Sequence, residues 1–336
     1  MSAQILGVGS CLPTLRMTNQ DFIAHRFYKG IDQPFDDSNE IIIEKFKEIT
    51  GIEERRYAEK EQINSDLGII AAQKAIAAAG IDPETLDYII FAHNFGDVRF
   101  ASNHLDMLPA LASRVKHALG IANPNCVAYD MLFGCPGWVE ALIQANLYIK
   151  AGAAVNCLVI GSETLSRVVD PHDRDSMIFA DGAGACILSA NTTNEVSGIL
   201  AHATQTFTKD EAYFLNNGPS LNSKHHIHEK YIKMQGRKIY EFALTKVPAA
   251  MKIALDKSGV AIEDVKKIFI HQANEKMDEA IIDRFYRLYK SERPENVMPM
   301  NIQFNGNSSV ATVPTLLDTV IRGEYPEHQL NTGDVI

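Results

Sequence analysis

Tyr129-Asp130-Met131-Leu132-Phe133-Gly134-Cys135-Pro136-Gly137-Trp138 is the stretch that decides the fold. An apolar, strand-like approach ends at Gly134 and a cysteine follows. Pro136 and Gly137 then open an amphipathic run from Val139 to Lys150 that stops before Gly152. Proline fits the first turn of a helix, where its missing N–H would be unpaired anyway. Glycine just past the last periodic residue ends a helix. Cys135 therefore stands where a strand becomes a helix, at the positive end of that helix. Unpaired N–H groups and the helix dipole favour a thiolate there. Cys135 is thus a candidate nucleophile.

Working outward, strands and helices alternate on both sides of this turn. A helix is expected over Asp66–Ala79, stopped by Gly80, then a buried strand over Asp87–Ala92. An irregular segment rich in Asn, Asp and Phe covers 94–110; loops of this length usually carry function or an interface. A helix over Pro109–Leu119 leads back to the Cys135 turn. Strands at Cys157–Ile160 and Gly184–Ser189 follow. Past Asn191, VSGILAHATQTF reads as a strand and Lys238–Lys257 as a helix ended by Gly259. The strand Val265–Ile270 runs into His271-Gln272-Ala273-Asn274. A helix over Lys276–Lys290, the strand NVMPMNI and a helix over Val310–Ile321 complete the series. Near the start, Gly7-Val8-Gly9-Ser10 lacks the third glycine and the following helix of a dinucleotide-binding turn.

The two halves repeat one another. Gly80 and Gly259 are each followed six residues later by an apolar residue, Leu86 or Val265. An apolar triplet comes next, Ile89-Ile90-Phe91 or Ile268-Phe269-Ile270, and each strand ends in a loop containing histidine. Gly134-Cys135 opens a helix closed at Gly152, and Gly306-Asn307 opens one closed at Gly323, with spacings of 18 and 17 residues. Shared punctuation of this kind marks a duplication. It divides the chain into residues 1–190 and 191–336. It also places Cys135 and Asn307 at equivalent helix starts, related by a pseudo-twofold axis and facing one site. In this frame the two strands that follow Gly152 in the first half have no counterpart after Gly323, so the second half is expected to lack its last strands.

Composition narrows the function. With 336 residues, 46% of them hydrophobic, the chain can bury a sizeable core. A net charge of −10 argues against general nucleic-acid binding. No apolar run approaches the ~20 residues of a membrane span, and the N-terminus has no secretory pattern. Five cysteines without a CxxC pair read as a reduced, cytoplasmic protein with no disulfide framework and no structural metal. Cys157 and Cys186 lie in apolar strands and read as small buried hydrophobes. Lys224-His225-His226-Ile227-His228 reads as a solvated loop rather than a metal site.

Taken singly, Cys135 could be core, His271 a hydrogen-bonded structural residue and Asn307 a cap. Their joint place in the duplicated frame favours chemistry. The helix end can lower a thiol pKa by roughly one unit without a base. His271 Nε2–H and Asn307 Nδ2–H are two neutral donors suited to a thioester oxygen that becomes an enolate.

The motifs AYDMLFGCPGW, GSETLSR, DPHDRDSMIFADGAGACIL, IHQAN and NGNSSVATVP resemble beta-ketoacyl-acyl-carrier-protein synthase III, over nearly the whole chain. The resemblance implies an α/β, thiolase-like fold of two duplicated halves in five α-β-α-β-α layers. It implies an acyltransferase that needs no cofactor. Cys135 takes an acyl group from an acyl-CoA, and malonyl-ACP is decarboxylated against His271 and Asn307. The enolate attacks the acyl-Cys to give a beta-ketoacyl-ACP, which initiates fatty acid synthesis. The resemblance further implies a homodimer in which Leu108 approaches the partner's acyl pocket. It implies coenzyme A binding at Arg167 and carrier-protein docking at Lys276, which Arg284 and Arg287 extend. Three features depart from the family pattern. Glu53 replaces a coenzyme A-supporting Arg. Lys45 or Phe46 lies where a Trp stacks on adenine. The C-terminal Gly-rich loop of the oxyanion hole has no match. A specialised ketosynthase making an aryl-polyene or resorcinol-type lipid, a non-catalytic ketosynthase-like binding subunit and a thioester hydrolase are the competing readings.

Overall fold

In the computed structural model, residues 2–191, 197–226 and 228–336 are described. The chain begins with β1 (Ser2–Cys11). Two small antiparallel pairs follow: β2 (Leu15–Thr18) with β5 (Glu54–Tyr57), and β3 (Tyr28–Gly30) with β4 (Gln33–Pro34), around helix α1 (Asn39–Thr50). Then come α2 (Asn64–Ala79), β6 (Tyr88–His93), α3 (Leu111–Ala118), β7 (Val127–Leu132), α4 (Gly137–Lys150), β8 (Asn156–Thr164) and β9 (Asp181–Asn191). The second half holds the pair β10 (Leu215–Gly218) and β11 (Tyr231–Met234), then α5 (Gly236–Ser258), α6 (Glu275–Leu288), α7 (Ile302–Asn305) and α8 (Thr312–Ile321). The expected glycine stops hold: Gly80, Gly152, Gly259 and Gly323 all take positive φ.

The strands of the first half form a five-stranded sheet in the order β1-β9-β8-β6-β7. The central β6 runs parallel to both β7 and β8, whereas β9 is antiparallel to its neighbours. Successive side chains of a strand face opposite ways, and β6 is apolar on both faces, as a strand covered on each side must be. Ile89 and Phe91 pack with Leu67, Ala71, Leu111 and Val115 of α2 and α3. Ile90 and Ala92 pack with Trp138, Ala141 and Ala145 of α4. Gly7 and Gly9 let α2 lie directly on β1. A Cβ on them would fall 2.3 Å from the Ala79 nitrogen and 2.5 Å from the Ala75 nitrogen. The glycines of the first strand thus serve helix–sheet packing.

Three expected strands do not form ladders among the described residues. VSGILAHATQTF begins at Val196, outside the described residues; its remainder is irregular and touches β1 through Ile199 N–H donating to Ala3 O at 2.8 Å. Residues 265–270 and 297–301 form no strand; Ile268 N–H to Val297 O (2.8 Å) and Lys266 N–H to Val335 O (2.8 Å) are the backbone bonds that tie them. A ladder requires continuous partners for both N–H and C=O, and apolar patterning alone cannot supply one. The end of NVMPMNI also turns into α7. The layering nevertheless persists. Phe269 faces α4 and α8, whereas Ile268 and Ile270 face α5 and α6. The order of layers is therefore α2/α3, the sheet, α4/α8, the segments 265–270 and 297–301, and α5/α6.

Candidate active site

Three loops converge where the sheet meets the middle helical layer. Cys135 sits two residues before α4 and is half-buried. Asn307 is carried by a loop pinned to the segment before β9: its N–H donates to Ile178 O at 3.0 Å, and its carbonyl accepts from Ala180 N–H at 2.8 Å. Gly306 makes this approach possible. It has φ +65°, and a Cβ there would lie 2.7 Å from Arg55 Cβ. Arg55 is itself buried, with Nη2 donating to Met177 O at 2.8 Å and to Asn19 Oδ1 at 2.8 Å. The Asn307 amide oxygen accepts from Ser309 N–H at 2.8 Å. That bond sets the amide's orientation and leaves Nδ2–H₂ as the donor offered to the site.

His271 follows the extended segment 265–270 and is oriented by α8. Its Nδ1 lies 2.7 Å from Thr312 Oγ1. Thr312 Oγ1 in turn donates to Ser309 O at 2.9 Å. With its one proton committed there, the hydroxyl must accept from Nδ1–H. The neutral ring therefore carries its lone pair on Nε2, the nitrogen left for the Cys135 thiol with which His271 is hydrogen-bonded. Burial pushes the Cys135 pKa up, but the His271 charge, its hydrogen bond and one from Ser309 outweigh burial and bring the thiol below its ordinary value. Burial pulls the His271 pKa down, and Cys135, followed by Asp278, more than reverses this. Both shifts favour a thiolate–imidazolium pair.

This arrangement corrects two expectations. The sequence alone puts the thiolate down to the helix end, yet the largest influence lowering the thiol's pKa is His271, with Cys135's own backbone N–H behind it. The sequence expectation gives neutral His271 an Nε2–H donor, yet the contact of Nδ1 with a Thr312 hydroxyl that donates to Ser309 O sets the other tautomer. Nε2 therefore becomes a donor only when the ring is charged.

Other groups that sequence reasoning did not single out complete the site. Ser309 holds φ +54° without being glycine, a strained conformation that recurs at functional sites. Its Oγ accepts from Asn94 Nδ2 at 3.1 Å, and Asn94 also bonds through N and Nδ2 to Glu163 Oε1. Asp278 stands behind His271, completely buried, and burial pushes its pKa up to about 8. Ser309 and Thr312 belong to the quoted motif NGNSSVATVP, and Glu163 to GSETLSR; their positions in the sequence were visible, but their contacts were not.

The remaining expected residues lie elsewhere. Arg167 donates to Ala58 O at 3.0 Å and Glu59 O at 2.8 Å, and its guanidinium lies 4.9 Å from the Phe100 ring centre. One of its faces is thus covered by the 94–110 segment. Leu108 is 89% exposed. Lys276, Arg284 and Arg287 are exposed on α6, and Arg284 also donates to Leu244 O at 3.0 Å. His225 and His226 stack edge-on, with His172 against His225; Ile227 of that cluster lies outside the described residues. Among the described residues no three His, Cys, Asp or Glu side chains form a metal-binding group.

A cysteine at a strand–helix turn, a histidine and an asparagine on the opposing half, and the five layers define a thiolase-like condensing enzyme. Known proteins agree. Residues 129–206 match the family described as 3-oxoacyl-[acyl-carrier-protein] synthase III, and 255–336 its C-terminal part. A beta-ketoacyl-[acyl-carrier-protein] synthase III of Erythrobacter litoralis is 33% identical over 99% of this chain and 94% of its own. One from Neisseria meningitidis is 34% identical over 95% and 90%. The crystal structure of the Aquifex aeolicus 3-oxoacyl-[acyl-carrier-protein] synthase III superposes with a TM-score of 0.76 at 31% identity, covering 99% of this chain and 93% of that one. The chain belongs to the beta-ketoacyl-[acyl-carrier-protein] synthase III family.

Proposed function

We propose that this protein condenses an acyl thioester with malonyl-ACP, with Cys135 as the acyl acceptor and His271 and Asn307 as its partners. The observation that carries the reading is the coupling of Cys135 to a His271 whose tautomer is fixed by Thr312. The thiol proton passes to Nε2, and the thiolate attacks the carbonyl carbon of an acyl-CoA. The carbon–sulfur bond to coenzyme A breaks, and the leaving thiolate recovers the proton from His271. Malonyl-ACP then enters and loses CO₂, and its electrons move to the thioester oxygen. Asn307 Nδ2–H stabilises the enolate oxygen in either charge state of the site, and His271 adds a second donor when its ring is charged. The enolate carbon attacks the acyl group, the Cys135 thiolate leaves and is reprotonated from solvent through His271, and a beta-ketoacyl-ACP is released. No cofactor takes part in this sequence.

The same reading supplies partners. The carrier protein is acidic, and on α6, at about 100° per residue, Lys276, Arg284 and Arg287 share one face near the groove lined by Leu244 and Pro248. A homodimer is proposed through β7, an edge strand with Val127 and Leu132 exposed. The nearby Leu108 would then meet the second copy. Among the described residues no helix is long and apolar enough to cross a membrane; with five free cysteines, a cytoplasmic location is proposed. Incubation with acetyl-CoA or longer acyl-CoAs, followed by malonyl-ACP, tests the function. Acyl mass on the Cys135 peptide and a ketoacyl-ACP product are expected. Free acid without condensation would instead indicate a hydrolase.

A further inference from the structure

Glu163 belongs to no step described so far. It lies near the end of β8 and is completely buried. Its Oε1 accepts from both Asn94 N–H and Asn94 Nδ2–H, the latter at 2.9 Å, while its Oε2 is buried with no partner. Among the described residues no lysine or arginine pairs with it. The charged groups that face it are the Cys135 thiol and the Asp181 carboxyl, both adverse to a second anion. A carboxyl so placed keeps its proton, because burial and neighbouring negative charge both oppose ionisation. The same Asn94 amide reaches Ser309 Oγ at 3.1 Å, and Ser309 hydrogen-bonds Cys135.

We propose that Glu163, in its neutral form, is the positioning residue of the nucleophile. It fixes Asn94, Asn94 fixes Ser309, and Ser309 holds the Cys135 sulfur toward His271. The neutral form matters twice. It keeps an anion away from the thiolate, and its acceptor oxygen orders a side chain that a charged, water-seeking carboxylate would pull out of place. Asn94 is the joint of the relay, since one amide meets both Oε1 and Oγ. This inference rests on the proposed role of Cys135 but does not require the condensation reaction.

The test is the rate of Cys135 alkylation by iodoacetamide against pH, measured alongside acylation by acetyl-CoA. Glu163→Gln keeps a neutral side chain with an acceptor oxygen. The native protein should show an alkaline decline as Glu163 ionises, and Glu163→Gln should alkylate at close to the native rate near neutral pH without that decline. Asn94→Ala cuts the relay, leaves Glu163 in place with the Asn94 backbone N–H as its donor, and should slow alkylation roughly tenfold, the cost of a severed hydrogen-bond link. Should Glu163→Gln fail to fold, as circular dichroism would reveal, Asn94→Ala and Asn94→Asp carry the test. Unchanged alkylation in Asn94→Ala, or matching pH profiles for the native protein and Glu163→Gln, overturns the proposal. If the native protein alkylates at Cys135 but no thioester acylates it, the functional reading fails while this inference stands.

Discussion

Cys135 and Cys157 flank α4 in the chain, and the protein treats the two thiols in opposite ways. Cys157, the second residue of β8, has no exposed surface, and burial pushes its pKa up to about 12. Cys135 is desolvated as well, but His271 and Ser309 reach it, and its pKa falls below the ordinary thiol value. Burial acts on both thiols. What separates them is a basic partner and a hydrogen-bond donor brought from the other half of the chain, His271 and Ser309, 136 and 174 residues further along. A helix start alone does not lower the thiol's pKa; His271 and Ser309 on the opposing loops do.

The first way to break this contrast is to remove the sulfur. Cys135→Ala should abolish acyl transfer, by a factor on the order of 10⁶ if it behaves like other covalent nucleophiles. Residual transfer labelling another cysteine would show that the wrong thiol had been chosen. Asn307→Asp keeps the oxygen that accepts from Ser309 but replaces the donor with a charge. Condensation should fall by roughly 10²–10³, the usual cost of one oxyanion donor, while acylation of Cys135 continues. Single-turnover assays with each substrate alone separate the two steps.

His271→Ala should lower the alkylation rate near neutral pH by roughly tenfold for each pKa unit the thiol regains. The sign follows from the shifts. The native Cys135 pKa is lowered, so its alkylation midpoint lies below the ordinary thiol range, and removing His271 moves that midpoint upward. An unmoved midpoint would return the effect to the helix end. Thr312→Val removes the acceptor for Nδ1–H and frees the tautomer, so a several-fold loss is expected, on the scale of about 1 kcal/mol for one hydrogen bond. Cys157→Ser should leave both rates unchanged and alter only thermal stability, as a core substitution does.

Much of this was legible in the sequence, for identifiable reasons. Helix ends could be read at Gly80, Gly152, Gly259 and Gly323 because positive φ is a local property of glycine. The duplicated spacing brought Cys135 and Asn307 into one frame, and the IHQAN loop added His271. Residues 265–270 and NVMPMNI read as strands yet form no ladder among the described residues, because pairing depends on distant partners that apolar alternation does not reveal. The roles of Ser309, Thr312, Asn94 and Glu163 were hidden for a related reason. The strain at Ser309, the His271 tautomer and the isolation of Glu163 exist only once β8, α8 and the 94–110 segment are packed together. Phe100 over Arg167 is a similar case, since nothing in either motif places that ring on that guanidinium.

The central claim is that one thiol, Cys135, carries the acyl group into carbon–carbon bond formation. It is tested most directly by intact-protein and peptide mass spectrometry after incubation with acetyl-CoA, before and after malonyl-ACP is added. The account predicts an acetyl adduct on the peptide containing Cys135, discharged by malonyl-ACP into a beta-ketoacyl-ACP. An adduct on another residue, or one that malonyl-ACP leaves in place or that decays only to free acetate, would contradict it.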